Sequence, residues 1–130
     1  MTPQTRAERS AAIMLENDAA SRGLGMEVTR IAPGAATLTM RVRDSMLNGH
    51  GICHGGYIFT LADSAFAFAC NSYNAVTVAQ QNQITYVAPG RAGEMLTAEA
   101  TETAVTGRER PRRCARLRRA RSRHRRLSVR

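Results

Sequence analysis

Residues 57–70 read YIFTLADSAFAFAC. Ala, Leu and Phe fall on every side of this stretch and no Gly or Pro interrupts it, which is the pattern of a helix enclosed by other structure. Downstream, the run AVTVAQQNQITYVAPG at 75–90 predicts a strand over 76–87 that stops at Pro89-Gly90, and GEMLTAEATETAV predicts another over 94–105. Upstream, strands over 26–31 and 36–42 flank the turn signal Ala32-Pro33-Gly34, and ATLTMRV in the second has the period-two alternation of a half-buried strand. A shorter amphipathic helix over 5–20, with apolar Ala12, Ile13, Leu15 and Ala19, ends near Gly23. One hydrophobic helix followed by long antiparallel strands is buried when the sheet curls around it, so the expected fold class is α+β.

The chain has 130 residues, 43% of them hydrophobic and 22% charged, which suits one globular domain. No stretch approaches the ~20 apolar residues that span a bilayer, and the acidic N-terminus lacks the apolar core of a signal peptide, so no membrane association and a cytoplasmic location are expected. Cys53, Cys70 and Cys114 form no CxxC pair and fit a reducing compartment as thiols.

The net charge of +9 is unevenly distributed. Residues 1–107 hold seven arginines against nine carboxylates, whereas residues 108–130 hold twelve arginines against Glu109 alone. This divides the chain into a domain over 1–107 and an Arg-rich tail over 108–130. The tail, RERPRRCARLRRARSRHRRLSVR, has few residues to bury and is expected to be disordered. It contains no Lys, Asp, Asn, Ile, Phe, Tyr or Gly, a selection that reads as a shifted frame through GC-rich DNA.

Within the central helix Asp63 interrupts the apolar run, accompanied by Thr60 and Ser64. A buried carboxylate costs several kcal/mol unless compensated. Catalysis would supply a reason, since desolvation makes a carboxylate a stronger base than it is in water; a structural Asp bonded to a strand or to a second subunit would supply another. Just upstream, residues 44–56 form a loop rich in Asn48, Gly49, His50, Gly51, His54, Gly55 and Gly56. The last two fall at the start of the helix, where backbone N–H groups lack internal partners and carry the positive end of the helix dipole. Without side chains they let a carbonyl oxygen approach closely, as an oxyanion hole requires; the alternative is a flexible entry turn. Gly55 and Asp63 are eight residues apart, or ~12 Å at about 1.5 Å per residue, too far to act on one carbonyl within one helix. The site is therefore expected to need two chains. His50, Cys53 and His54 lie within five residues with no distant fourth ligand, so no metal is expected. Thr60 and Ser64 lack a G-x-S-x-G elbow and are expected to pack or bond locally.

The segment LNGHGICHGGYIFTLADSAFAFACNSYN, followed by VTVAQQNQITYVAPGRAGEMLTAEATE and then GR, resembles the PaaI-type hydroxyphenylacetyl-CoA thioesterases of the hotdog superfamily over roughly residues 8–108. The specific part is an Asn, a loop, HGG, and an Asp eight residues past the first of those glycines. The resemblance implies a curled antiparallel sheet around one long helix, no cofactor, an acyl-CoA substrate from phenylacetate catabolism, and a homodimer or homotetramer. It implies that Asp63 acts as general base or nucleophile, that the Gly55 N–H of the partner subunit polarises the thioester carbonyl, and that Asn48 and His54 orient water or substrate. Gly56 would contact substrate at the helix start, and Gln80 and Asn82 would line the acyl pocket. An apolar pocket from Tyr57, Phe59, Phe66 and Phe68 would suit an aryl-acetyl group, and medium aliphatic chains fit the same chemistry. Hotdog dehydratases and hydratases place their His and acid differently.

After Arg108 the chain departs from that family, in which two further strands complete the sheet between the strand at 94–105 and that at 76–87. Here the Arg-rich segment stands in their place, so a sheet lacking its last two strands is expected. A second reading is a catalytically impaired hotdog scaffold whose basic tail binds nucleic acid or other polyanions. An evolved arm mixes Lys, Gly and aromatics with arginine, so nonspecific adhesion is expected rather than specific nucleic-acid recognition.

Overall fold

Thr2 opens the chain's first helix, its Oγ1 accepting the Thr5 N–H at 3.1 Å, with Pro3 in the first turn where its missing N–H costs nothing. The computed structural model describes residues 1–106, 112–121 and 126–129, with side chains as far as Ala104. Helix α1 (Pro3–Asn17) passes into a short α2 (Ala19–Gly23) through Asp18, whose Oδ1 accepts the Ser21 N–H at 2.9 Å. The inward stripe of α1 is the buried Ala7 and Ala11 with the partly buried Met14 and Leu15, while Ile13 is 60% exposed. That corrects the stripe read through Ala12, Ile13, Leu15 and Ala19. The i, i+4, i+7, i+8 spacing of a helix face starts at Ala7, a residue too small to stand out in sequence.

Strands β1 (Glu27–Ala32) and β2 (Ala35–Arg41) form the expected hairpin, with a register shift between Val28 and Arg30. Gly34 in its turn has φ +72°, and a Cβ there would lie 2.7 Å from the Tyr73 hydroxyl, so glycine is required twice over. Helix α3 (Gly55–Cys70) follows, then β3 (Met95–Thr106). Two more strands, β4 (Arg112–Arg121) and β5 (Arg126–Val129), extend an antiparallel sheet in the order β1-β2-β3-β4-β5. Helix α3 lies against β2, β3 and β4, and its Leu61, Ala65 and Phe68 meet Leu38, Met40 and Leu96 in the core. This is the curled sheet around one helix that the sequence predicts.

Two strand expectations come out differently. Residues 76–87 form no strand, although they alternate as one: Val76 is 99% exposed and Val78 82% exposed. Alternation makes a strand only when a neighbour supplies its backbone hydrogen bonds, and within the described residues of this chain none does. Conversely, the backbone of 112–121 and 126–129 pairs onto the sheet where none of the tail was expected to, because ladder hydrogen bonds use main-chain groups that arginine possesses like any other residue. Residues 108–111, 122–125 and 130, the rest of the tail predicted to be disordered or frame-shifted, lie outside the described residues, as does Gly107.

Helix α3 is not enclosed on all sides, as its composition suggests. Ile58, Leu61, Ala62, Ala65, Phe68 and Ala69 are buried, while Phe59, Thr60, Asp63, Phe66 and Ala67 on the other side are only half-buried.

Candidate active site

The loop before α3 is built by Asn48. Its Oδ1 accepts the N–H groups of His50 at 2.9 Å and Ile52 at 3.3 Å, and its own N–H donates to the Ile52 carbonyl at 2.8 Å. Gly51 makes the reversal with φ +72°. The chain is then pinned on both sides of Cys53. The Cys53 N–H donates to the Gly90 carbonyl and the His54 N–H to the Met46 carbonyl, each at 2.8 Å.

His54 is the N-cap of α3, its Nδ1 accepting the Gly56 N–H at 3.0 Å. Histidine rarely holds this position, which Ser, Thr, Asp and Asn usually fill by the same means, an acceptor atom aimed at the second or third helical N–H. The bond occupies Gly56, so Gly56 serves the cap instead of standing open to a ligand. The Gly55 N–H, by contrast, has no acceptor among the described residues. Gly55 also lines a cleft of about 410 Å³, together with Asn48, Ile52, Ile58, Tyr86 and Pro89 among others. A polar donor at a helix start, beside apolar walls, can hold the oxygen of a carbonyl whose substituent occupies the apolar space.

The predicted site residues thus separate into groups. Asn48, His54, Gly55 and Gly56 come together at the start of α3. Asp63 stands two turns further along, half-buried, and makes no hydrogen bond or ion pair among the described residues. The core of its own chain lies on the opposite side of the helix. Gln80 and Asn82 are exposed on the segment that forms no strand, outside the cleft. Of the four aromatics expected to form an acyl pocket, Phe68 is 1% exposed in the core, and Tyr57, Phe59 and Phe66 are half-buried away from the cleft lining. Tyr86, which the sequence reading passes over, is instead at the cleft, its hydroxyl donating to the Gly55 carbonyl at 3.0 Å. The signal available in sequence was only that an aromatic residue preceded Pro89-Gly90 by three.

Thr60 bonds locally, donating to the Gly56 carbonyl at 2.8 Å. Ser64 does not: its Oγ lies 2.8 Å from the buried Ser21 Oγ, which in turn donates to Asp18 Oδ2 at 2.6 Å. This chain ties α3 to α2 beside Asp63. Among the described residues no three His, Cys, Asp or Glu side chains are grouped as a metal site would need, and no helix is long and apolar enough to cross a membrane.

Residues 50–108 match the family model described as the thioesterase superfamily. Over 95 residues the chain is 47% identical to acyl-coenzyme A thioesterase PaaI of Escherichia coli, a stretch that covers 73% of this chain and 68% of that one. The chain belongs to the PaaI-type acyl-CoA thioesterases. Its fold superposes on the solved structure of the E. coli PaaI protein from the phenylacetic acid degradation operon with a TM-score of 0.90, covering 98% of this chain and 91% of that one at 36% identity. A Streptococcus mutans structure bound to acetyl CoA superposes with a TM-score of 0.73 at 25% identity, over 80% of this chain and 82% of that one. Thioester hydrolysis is accordingly the reaction class of this family member, and the hotdog fold is its architecture.

Proposed function

We propose that the chain hydrolyses the thioester of an aryl-acyl-CoA such as hydroxyphenylacetyl-CoA, with Asp63 of one subunit and Gly55 of another acting on the same carbonyl. The observation that carries this reading is the Gly55 N–H, left without an acceptor among the described residues at the start of α3 and beside an apolar cleft. The kinship with PaaI, encoded in a phenylacetic acid degradation operon, supplies the aryl-acetyl choice.

In the general-base form, the Asp63 carboxylate takes a proton from water as the water oxygen bonds to the carbonyl carbon. The Gly55 N–H holds the oxyanion, the C–S bond then breaks, and the CoA thiolate leaves with the proton returned by Asp63. In the nucleophilic form the Asp63 carboxylate bonds to the carbonyl carbon, the C–S bond breaks to release the CoA thiolate, and water then hydrolyses the mixed anhydride, freeing the acid and regenerating Asp63. His54 and Asn48 hold the helix start and the loop around it, orienting what binds there. Two subunits are needed because Gly55 and Asp63 are ~12 Å apart along one helix at about 1.5 Å per residue. The half-buried face of α3, with Phe59, Asp63, Phe66 and Ala67, is where a partner would cover Asp63. A role for Gln80 and Asn82 at the acyl group likewise requires them to reach it across that boundary.

The test is Asp63→Asn, assayed against a panel of aryl and aliphatic acyl-CoAs. Turnover of the preferred thioester should fall by at least ~100-fold with the circular dichroism and melting profile retained. A folded Asn variant with near-normal turnover would remove Asp63 from the mechanism, and a parent enzyme preferring medium aliphatic chains would overturn the aryl-acyl assignment.

A further inference from the structure

Three groups at the start of α3 form one hydrogen-bonded line. The Tyr86 hydroxyl donates to the Gly55 carbonyl at 3.0 Å. That carbonyl and the Gly56 N–H belong to the same peptide unit. The Gly56 N–H donates to His54 Nδ1, also at 3.0 Å. A peptide that accepts at its oxygen becomes a better donor at its nitrogen, so the Tyr86 bond strengthens the one that holds the imidazole. Because Nδ1 accepts, a neutral His54 carries its proton on Nε2, and the exposed edge of the ring presents a donor. The His54 ring is further braced edge-on by Tyr57, with ring centroids 6.4 Å apart and planes at 87°.

Packing fixes the tyrosine in the same place. A Cβ on Gly55 would lie 3.0 Å from Tyr86 Cζ and 3.1 Å from its Oη, so the ring lies directly on the glycine. Tyr86 is 51% exposed and stands at the cleft, so its contact with Gly55 is not a by-product of core packing. It comes from the segment 76–87, which forms no strand, and its hydroxyl is a point at which that segment is fastened to the helix start.

We propose that Tyr86 is the positioning residue of this site, fastening the Gly55–Gly56 peptide and, through it, setting the tautomer and aim of the His54 ring. The proposal rests on the functional reading above for its kinetic consequence, but not for the hydrogen-bonded line itself. Tyr86→Phe keeps the ring and the cleft wall and removes only the donor. It should lower kcat for the preferred acyl-CoA about three- to tenfold, the worth of one such hydrogen bond, with KM held within about twofold. In the long-range proton–nitrogen spectrum of the imidazoles, taken without substrate, the His54 signals should move from the pure Nε2–H pattern toward a mixture of tautomers, while those of His50 stay in place. Gly55→Ala, which displaces the ring, should give the same His54 change.

An unchanged His54 spectrum in both variants overturns the proposal, whatever happens to kcat. A changed spectrum with an unchanged kcat in an active enzyme overturns the positioning role. A parent protein that hydrolyses no acyl-CoA is a failure of the functional reading, seen before any variant is made, and the imidazole spectrum still decides whether Tyr86 governs His54.

Discussion

Gly55 is first in α3, and that position allows its side-chain-free donor to be removed without removing the helix. Proline is favoured at the first helical residue because its fixed φ suits the turn and its absent N–H would have had no intrahelical partner. His54 has φ −58° and ψ 133°, outside the helical region that a following proline disfavours. Gly55→Pro should therefore preserve the fold, with Tyr86 swinging aside, and lower turnover by about 10²–10³-fold if the N–H holds the oxyanion. Retained turnover in a folded Gly55→Pro protein would take Gly55 out of the chemistry. At this scale the sequence is informative where a residue type is rare in its setting. An Asp within YIFTLADSAFAFAC and paired glycines before an apolar helix are visible in a string of letters. The bond from Tyr86 to Gly55 spans 31 residues and that between Ser21 and Ser64 spans 43, so neither leaves a local pattern to read.

Two elements are left with apolar surface uncovered by the described residues of their own chain: the side of α3 carrying Phe59, Asp63 and Phe66, and the segment 76–87 with Val76, Val78 and Val87 exposed. Hydrophobic periodicity reports that a face will be covered but not by which chain, which is why the helix was legible as enclosed and the segment as a strand although a single chain makes them neither. If a second copy covers them, each active site combines Gly55 of one subunit with Asp63 of the other. Mixing inactive Gly55→Pro and Asp63→Asn proteins under exchange conditions should then restore activity, since a mixed dimer contains one site with both groups intact. Random reassortment predicts recovery to about a quarter of the parent value. Failure to recover any activity, with exchange verified by native mass spectrometry, would place both groups in one chain.

For the molecule as a whole, the question is what the arginine-rich end does to a sheet that needs it. The family match stops at residue 108, close to the compositional break after Gly107, and the identity to PaaI is 47% over 95 residues but 36% when the superposition takes in 98% of the chain. Composition made this break legible, because it needs no knowledge of packing. It could not show that backbone from the tail would still enter the ladder. The register of β3 and β4 places Arg119 opposite Ala98 and Arg121 opposite Leu96, and Ala98 and Leu96 are buried at 4% and 0% exposure. Leu117, opposite the buried Ala100, is the residue type such a position calls for. Directly paired positions of an antiparallel ladder share a face of the sheet, and a buried face favours apolar residues over charged ones. The double substitution Arg119→Val with Arg121→Val should therefore raise the melting temperature by at least about 5 °C, since each buried valine contributes about 1.5 kcal/mol or more and a chain of this size gains roughly 2–4 °C per kcal/mol. Thermal unfolding of both proteins, with light scattering to follow aggregation, measures it. An unchanged or lower transition temperature would show that 112–121 does not occupy this register in solution, and would favour a tail that stands off the sheet with its arginines free for polyanions.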